Sequence, residues 1–207
     1  MVDIREFDQR ALKTTQSIVS HVTVDQLEAP TPCGEWTLGQ LLAHMVAQNY
    51  GFAAAARGES RDLSVWADRP VGDDPVGTFA ASVEAVNAAF AADGTLEQGF
   101  WLPEIRDDQP FPARQAISFH VLDYVVHGWD VARAIGVRAD FDDDLLDTVL
   151  AIAERVPDDE NRLRAGSAFR PGLDTGTGTD ADADADADRT TLDRILAMLG
   201  RSPNWPN

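Results

Sequence analysis

The chain has 207 residues, 44% of them apolar, enough for one domain of ordinary size with a buried core. Its formal net charge of −18, to which the alternating tract Asp180, Asp182, Asp184, Asp186, Asp188 contributes, repels phosphate backbones and anionic lipid surfaces. A single cysteine, Cys33, excludes an internal disulfide and any multi-cysteine metal site.

The N-terminus is charged from Asp3 onward and has no apolar core for a signal peptide, and no uncharged apolar run approaches the ~20 residues of a membrane span. We therefore expect a cytoplasmic protein that acts on a small-molecule substrate, with no nucleic-acid or membrane partner and with a homodimer allowed. From Asp3 to about His21, the residues Ile4, Phe7, Ala11, Ile18 and Val22 mark a first amphipathic helix. The TPCGEW segment breaks the chain before a second helix. Thr37 is its N-cap, Gln40 completes a capping box, and Trp36 with Leu41 suits a hydrophobic staple. This helix runs to near Gly58.

Asp74 followed by Pro75 opens a third helix, lined by Val76, Phe79, Val83, Val86 and Phe90 and stopped by Gly94. Residues 95–111 fit either a loop or a small hairpin. A fourth helix starts near Pro112 and ends at Gly136, long enough at about 36 Å to run the height of a bundle. The acidic start Asp142, Asp143, Asp144 complements the dipole of a fifth helix that stops at Pro157. From about Gly166 to Asp188 the composition reads as a solvated loop, lacking the Gly turn and terminal Glu of a calcium loop. A last helix spans about 190–199. No stretch shows convincing strand-like alternation. The expectation is an all-α four-helix bundle over 1–160, with residues 161–207 adding an acidic loop and a C-terminal helix that docks on the same domain.

The chemistry concentrates in the fourth helix, ISFHVLDYVVHGWDVARAIG. At about 100° per residue, His120, Asp123, His127 and Asp130 fall within roughly 80° of arc, on one face. Asp123 and His127 stand one turn apart, so an imidazole and a carboxylate can grip one ion from a single helix. The simpler reading is a solvent-facing hydrogen-bonded pair. Against it, Phe119, Val121, Leu122, Tyr124, Val125, Val126 and Trp129 leave little wet surface, and buried polar residues need partners.

His44, on the second helix, is the plausible third ligand, although helical arc alone puts it beside the apolar stripe and does not set it against His127. Two histidines and one carboxylate with an open coordination position make a catalytic pattern. His120 reads as a satisfied core histidine. Asp130 either accepts a ligand's second imidazole proton or pairs with Arg133, the ion pair being the simpler choice. Cys33 reads as a turn residue and His21 as surface.

The stretches TPCGEWTLGQLLAHMVAQNYGFAAAARG and FHVLDYVVHGWDVARAIG resemble the metal-binding domain of mycothiol-dependent maleylpyruvate isomerases and their actinobacterial relatives, within the DinB-like superfamily. The tail DRILAMLGRSPNW is similar to that of the shorter metal-binding members. The resemblance spans about residues 5–155 and 189–205. It implies a bundle holding a divalent metal on His44, Asp123 and His127, where the family's carboxylate is usually glutamate. Zinc is the first choice of metal, with nickel, manganese and iron open because affinity order and geometry overlap. It also implies a low-molecular-weight thiol cosubstrate such as mycothiol, used for S-transfer or isomerisation of a small electrophile. On mechanistic grounds a metal-bound thiolate would attack an electrophile packed in the bundle mouth, where Tyr50, Trp101 or Tyr124 are candidate contacts. This chain departs from the full isomerase in lacking a separable second domain after the bundle. A non-catalytic metal or small-ligand binder and a non-haem iron oxygen-activating enzyme stay open as alternatives.

Overall fold

Helix starts in this chain are written in short polar side chains, and the computed structural model places them where those side chains stand. It describes residues 3–34, 36–164, 167–173 and 190–206. The Asp3 carboxylate accepts the Arg5 N–H at the start of α1 (Ile4–Val19). Thr37 and Gln40 form the reciprocal capping box of α2 (Leu38–Ala56). Asp74 accepts the Gly77 N–H, and Pro75 takes the first helical position of α3 (Pro75–Ala91). The helix α4 (Ala113–Ile135) closes on Gly136, whose φ of 75° is the left-handed conformation that glycine adopts without a Cβ penalty. Its 23 residues reach about 35 Å.

The chain divides into two compact units, Met1–Asp140 and Phe141–Asn207. In the first, α1 packs on α4 and α2 on α3, and contacts of α1 with α3 and of α2 with α4 close the four helices into a bundle of the DinB-like, all-α kind expected. Polar cross-links fix the register of this apolar interior. Thr15 donates to the Tyr124 carbonyl at 3.0 Å, Tyr124 donates to the Met45 carbonyl at 2.8 Å, and Asn49 donates to Ser82 at 2.8 Å. Gly51 lies against the face of Trp66, so closely that a Cβ there would overlap the indole.

Residues 95–111 resolve to a short 3₁₀ turn, Thr95–Glu97, and one strand of a minimal antiparallel ladder, β1 (Gly99–Phe100) with β2 (Phe111–Pro112). The connecting loop is held by Arg106, which lies over the Phe111 ring and donates to the carbonyls of Gln109 and Pro110. A two-residue ladder is too short to produce alternation, so the pattern of the sequence could not decide between loop and hairpin. Among the described residues, no helix is long and apolar enough to cross a membrane.

The second unit contains α5 (Asp143–Ala153) and α6 (Thr191–Met198). The α5 helix ends before the expected Pro157, its last turn loosening into three-residue hydrogen bonds from Arg155 to Ile152 and Val156 to Ala153. Arg162 is buried, and its guanidinium donates to the carbonyls of Val156, Pro157, Arg170 and Met198, satisfying chain ends that no helix bond covers. Thr190 and Asp193 form a capping box that starts α6. The acidic tract 180–188 lies outside the described residues.

Candidate metal centre

Most of α4 is apolar and buried, Ile117, Val121, Leu122, Val125 and Val126 included, so its polar side chains must find partners inside the bundle. His127 finds them at both ring nitrogens. Nε2 lies 3.3 Å from Asp123 Oδ1, one turn back, and Nδ1 lies 3.0 Å from Asp130 Oδ2, one turn on. Neighbouring turns of a helix bring such side chains together, which is why two residues of one segment can flank a single imidazole. Asp130 is fully buried, whereas the Asp123 side chain retains 24% exposure.

The second imidazole comes from α2. His44 lies edge-on to His127, ring centroids 5.6 Å apart at an interplanar angle of 80°. The Trp36 ring lies 4.8 Å from the His44 ring, and Asp68 Oδ1 lies 3.7 Å from His44 Nδ1. One ligand atom each from His44, Asp123 and His127 falls within 4.8 Å of the others. The capping box at Thr37 sets this up, since it fixes where α2 begins and hence which turn carries residue 44.

A second group of donors shares the same imidazole. Cys33, His127 and Asp130 also offer atoms within 4.8 Å of one another. Cys33 is half-buried in the turn before α2, where its N–H donates to Thr31 Oγ1 at 3.2 Å and its carbonyl accepts from Trp36 at 3.3 Å.

The charges are mutually adjusted. Burial opposes an imidazolium at His127, but the Asp123 carboxylate and hydrogen bonds to Asp123, Asp130 and Cys33 outweigh it and hold its pKa well above the ordinary histidine range. Burial also pushes the Asp123 carboxyl up, and the facing His127, with smaller contributions from His44 and His120, reverses this and lowers it to about 2. His44 is held below its ordinary value, first by burial and then by the charge of His127. The cluster therefore keeps an ionised carboxylate and a neutral His44, whose unprotonated nitrogen can donate a lone pair.

The other candidates fall elsewhere. His120 is a core histidine, its Nδ1 2.7 Å from Asp8 Oδ1 with both side chains fully buried, and its ring is enclosed by Phe52, Phe90 and Tyr124. It is satisfied at one nitrogen only, for Nε2 has no hydrogen-bond partner. Asp130 accepts from the His127 ring, one of the two roles its place on the helix allows. Cys33 stands in the turn as read, and its side chain also lies within 4.8 Å of donor atoms of His127 and Asp130. Tyr124 is withdrawn as a substrate contact, being fully buried with its hydroxyl given to the Met45 carbonyl. Tyr50 lies under the Arg69 guanidinium and Trp101 under that of Arg61. His21 is exposed at the end of α1, bonded to the Ser17 carbonyl.

Two curated proteins of Mycobacterium tuberculosis, the uncharacterized proteins MT0763 of strain CDC 1551 / Oshkosh and Rv0738 of strain ATCC 25618 / H37Rv, are each 29% identical to this chain over 201 residues, covering 94% of it and 95% of the relative. No solved structure matches at a significant level. A family model described as the mycothiol maleylpyruvate isomerase N-terminal domain matches residues 9–132, which hold α2 and α3 whole and most of α1 and α4, together with His44, Asp123 and His127. The chain belongs to that family.

Proposed function

We propose that the protein binds a divalent metal through His44, Asp123 and His127 and uses it in thiol chemistry, as a low-molecular-weight-thiol S-transferase or isomerase acting on small electrophiles. The observation that carries this reading is the convergence of two imidazoles and one carboxylate within 4.8 Å, drawn from two helices of the bundle. The donor set fits a divalent ion, since imidazole and carboxylate suit zinc first, with nickel, manganese and iron close behind. When bound, such an ion supplies the positive charge that lowers the pKa of a coordinated thiol and makes thiolate available near neutral pH.

The chain's own residues supply the rest. Asp130 accepts from Nδ1 of His127 and so fixes both the ring's orientation and the nitrogen it presents to Asp123. Two imidazoles and a carboxylate also leave coordination positions for a ligand from outside, the pattern of catalytic rather than structural sites. His44 and Asp123, with side-chain exposures of 22% and 24%, form the approach, whereas His127 at 5% and the buried Asp130 form its floor. The Trp36 ring beside His44 offers an apolar face to an incoming electrophile. The family's description names mycothiol, a thiol cosubstrate in keeping with this arrangement.

Elemental analysis of the purified protein beside a His44→Ala variant tests the reading. Stoichiometric metal in the wild type and its loss in the variant are expected. The metal-loaded wild type should then accelerate conjugation of a low-molecular-weight thiol to a chromogenic electrophile. Absence of stoichiometric metal in the wild type under every loading condition would refute it.

A further inference from the structure

The His44 set leaves one strong donor unused at its edge. Cys33 reaches the site from the turn before α2, and its sulfur, a nitrogen of His127 and an oxygen of Asp130 all lie within 4.8 Å of one another. Asp130 faces Nδ1 of His127 and Asp123 faces Nε2, so the two carboxylates stand at opposite nitrogens of a single ring. Asp130 is fully buried, and a buried carboxylate is retained only where it has a cationic or hydrogen-bonding partner.

We propose that Cys33, His127 and Asp130 form a second donor set, selective for thiophilic cations such as cadmium and sharing His127 with the first. The proposal deepens the metal-binding reading above and rests on it for the first set. The argument is one of donor chemistry. A thiolate draws cations that imidazole and carboxylate alone do not discriminate, so the Cys33 set favours soft ions while the His44 set accepts harder ones such as manganese. A neutral imidazole has one lone pair, and a cation drawn toward Cys33 through one nitrogen takes His127 away from the His44 set. The identity of the ion therefore decides which set is filled. Binding releases to solvent the thiol proton of Cys33 and the proton of the His127 nitrogen that binds, and forms a sulfur–metal and a nitrogen–metal bond with no change of oxidation state.

Cys33 is the only cysteine of the chain, so any thiolate-to-metal charge-transfer absorption must come from it. The test titrates cadmium chloride into the full-length protein and follows that ultraviolet band. The wild type should give the band at one cadmium per chain while eluting at an unchanged size. The band should persist in His44→Ala. The midpoint should move at least about tenfold in Asp130→Asn, since taking the charge from a donor of the set costs no less than removing a carboxylate that only supports a ligand.

Cys33→Ser should lose the band with its helical circular dichroism intact. A folding defect in that variant does not compromise the test, because protection of wild-type Cys33 from alkylation by iodoacetamide on adding cadmium reads the same contact. Cadmium binding without the band or the protection would overturn the proposal and leave the His44 set standing. So would an unchanged midpoint in both Asp130→Asn and His127→Ala, which would mark Cys33 as binding alone, or a band that appears only with dimer formation. Loss of the band in His44→Ala would overturn the separateness of the two sets, whereas a wild type that takes up neither manganese nor zinc would instead refute the function proposed above.

Discussion

Two histidines of α4, His120 and His127, stand seven residues apart, on nearly the same face and about 10 Å apart along the axis. Each bonds a carboxylate through Nδ1, His120 to Asp8 at 2.7 Å and His127 to Asp130 at 3.0 Å. What separates them is the other nitrogen. His120 Nε2 meets no hydrogen-bond partner among the rings of Phe52, Phe90 and Tyr124, while His127 Nε2 lies 3.3 Å from Asp123 with the His44 ring beside it. Among the described residues His120 joins no group of three metal donors, and His127 joins two. A histidine with one carboxylate and apolar walls ties helices together. A histidine between two carboxylates, with a second imidazole in reach, has the surroundings that the proposed ligand role requires.

The sharpest way to break this contrast is to remove the two partners in turn. Asp8→Ala strips the buried His120 of its acceptor and should cost about 2–5 kcal/mol of folding stability, with metal content per folded chain unchanged. Denaturant melts of the metal-free variant against wild type measure this. A shift under about 0.5 kcal/mol, the range of an ordinary surface substitution, would deny the pair its structural role. Replacing both partners, Asp8→Leu with His120→Leu, should recover most of the loss, because a buried polar pair swapped for apolar residues of similar volume is often neutral.

At the other histidine the effect should fall on metal. His127→Ala should weaken metal affinity by more than about 100-fold, beyond the 10–100-fold typical of losing a residue that only supports a ligand. The melting of its metal-free form should move less than that of Asp8→Ala. Equal metal content in His127→Ala and wild type would remove His127 from the site. Asp130→Asn keeps the ligands and weakens the support, so its affinity for the metal of the His44 set should fall by about 10–100-fold. An unchanged affinity would mean that Asp130 serves only the Cys33 set or the packing of the bundle.

The same contrast shows what the sequence could and could not reveal. The bundle was legible because helix ends are local chemistry: Thr37 with Gln40, Asp74 with Pro75 and Gly136 each act within a few residues. Asp123 and His127 were legible for the same reason, being one turn apart on one helix. Asp8 was not, because its partner His120 lies 112 residues away and α1 meets α4 only in the folded chain. Cys33 was hidden likewise, since its turn is visible in sequence but its approach to α4 is not. His44 was legible as a plausible third ligand, but helical arc placed it beside the apolar stripe, and its grouping with Asp123 and His127 came only through family resemblance. For Asp130 the bond to His127 depends on how that ring turns, which periodicity does not encode. Arg162 gave no signal at all, because the carbonyls it collects come from four separate positions of the second unit.

The smallest effect is expected at the residue where this chain departs from its family's usual pattern. Asp123→Glu should keep the metal, with affinity within about fivefold of wild type, the size of a 1 kcal/mol change. The substitution preserves the carboxylate and adds one methylene. The Asp123 side chain is 24% exposed, so the extra length can be taken up toward solvent without displacing the core around Val126. The longer side chain still faces His127 from one turn away, and glutamate is the commoner carboxylate in the resembling isomerases. Asp123→Asn makes the control, nearly isosteric but without the negative charge that holds His127 well above its ordinary pKa, and it should bind metal more weakly than either carboxylate. Metal analysis of the three proteins side by side, after loading with zinc and desalting, separates charge from reach. If Asp123→Glu lost its metal while Asp123→Asn kept it, the side chain at this position would matter for its size alone, and the carboxylate of the site would have to be sought elsewhere.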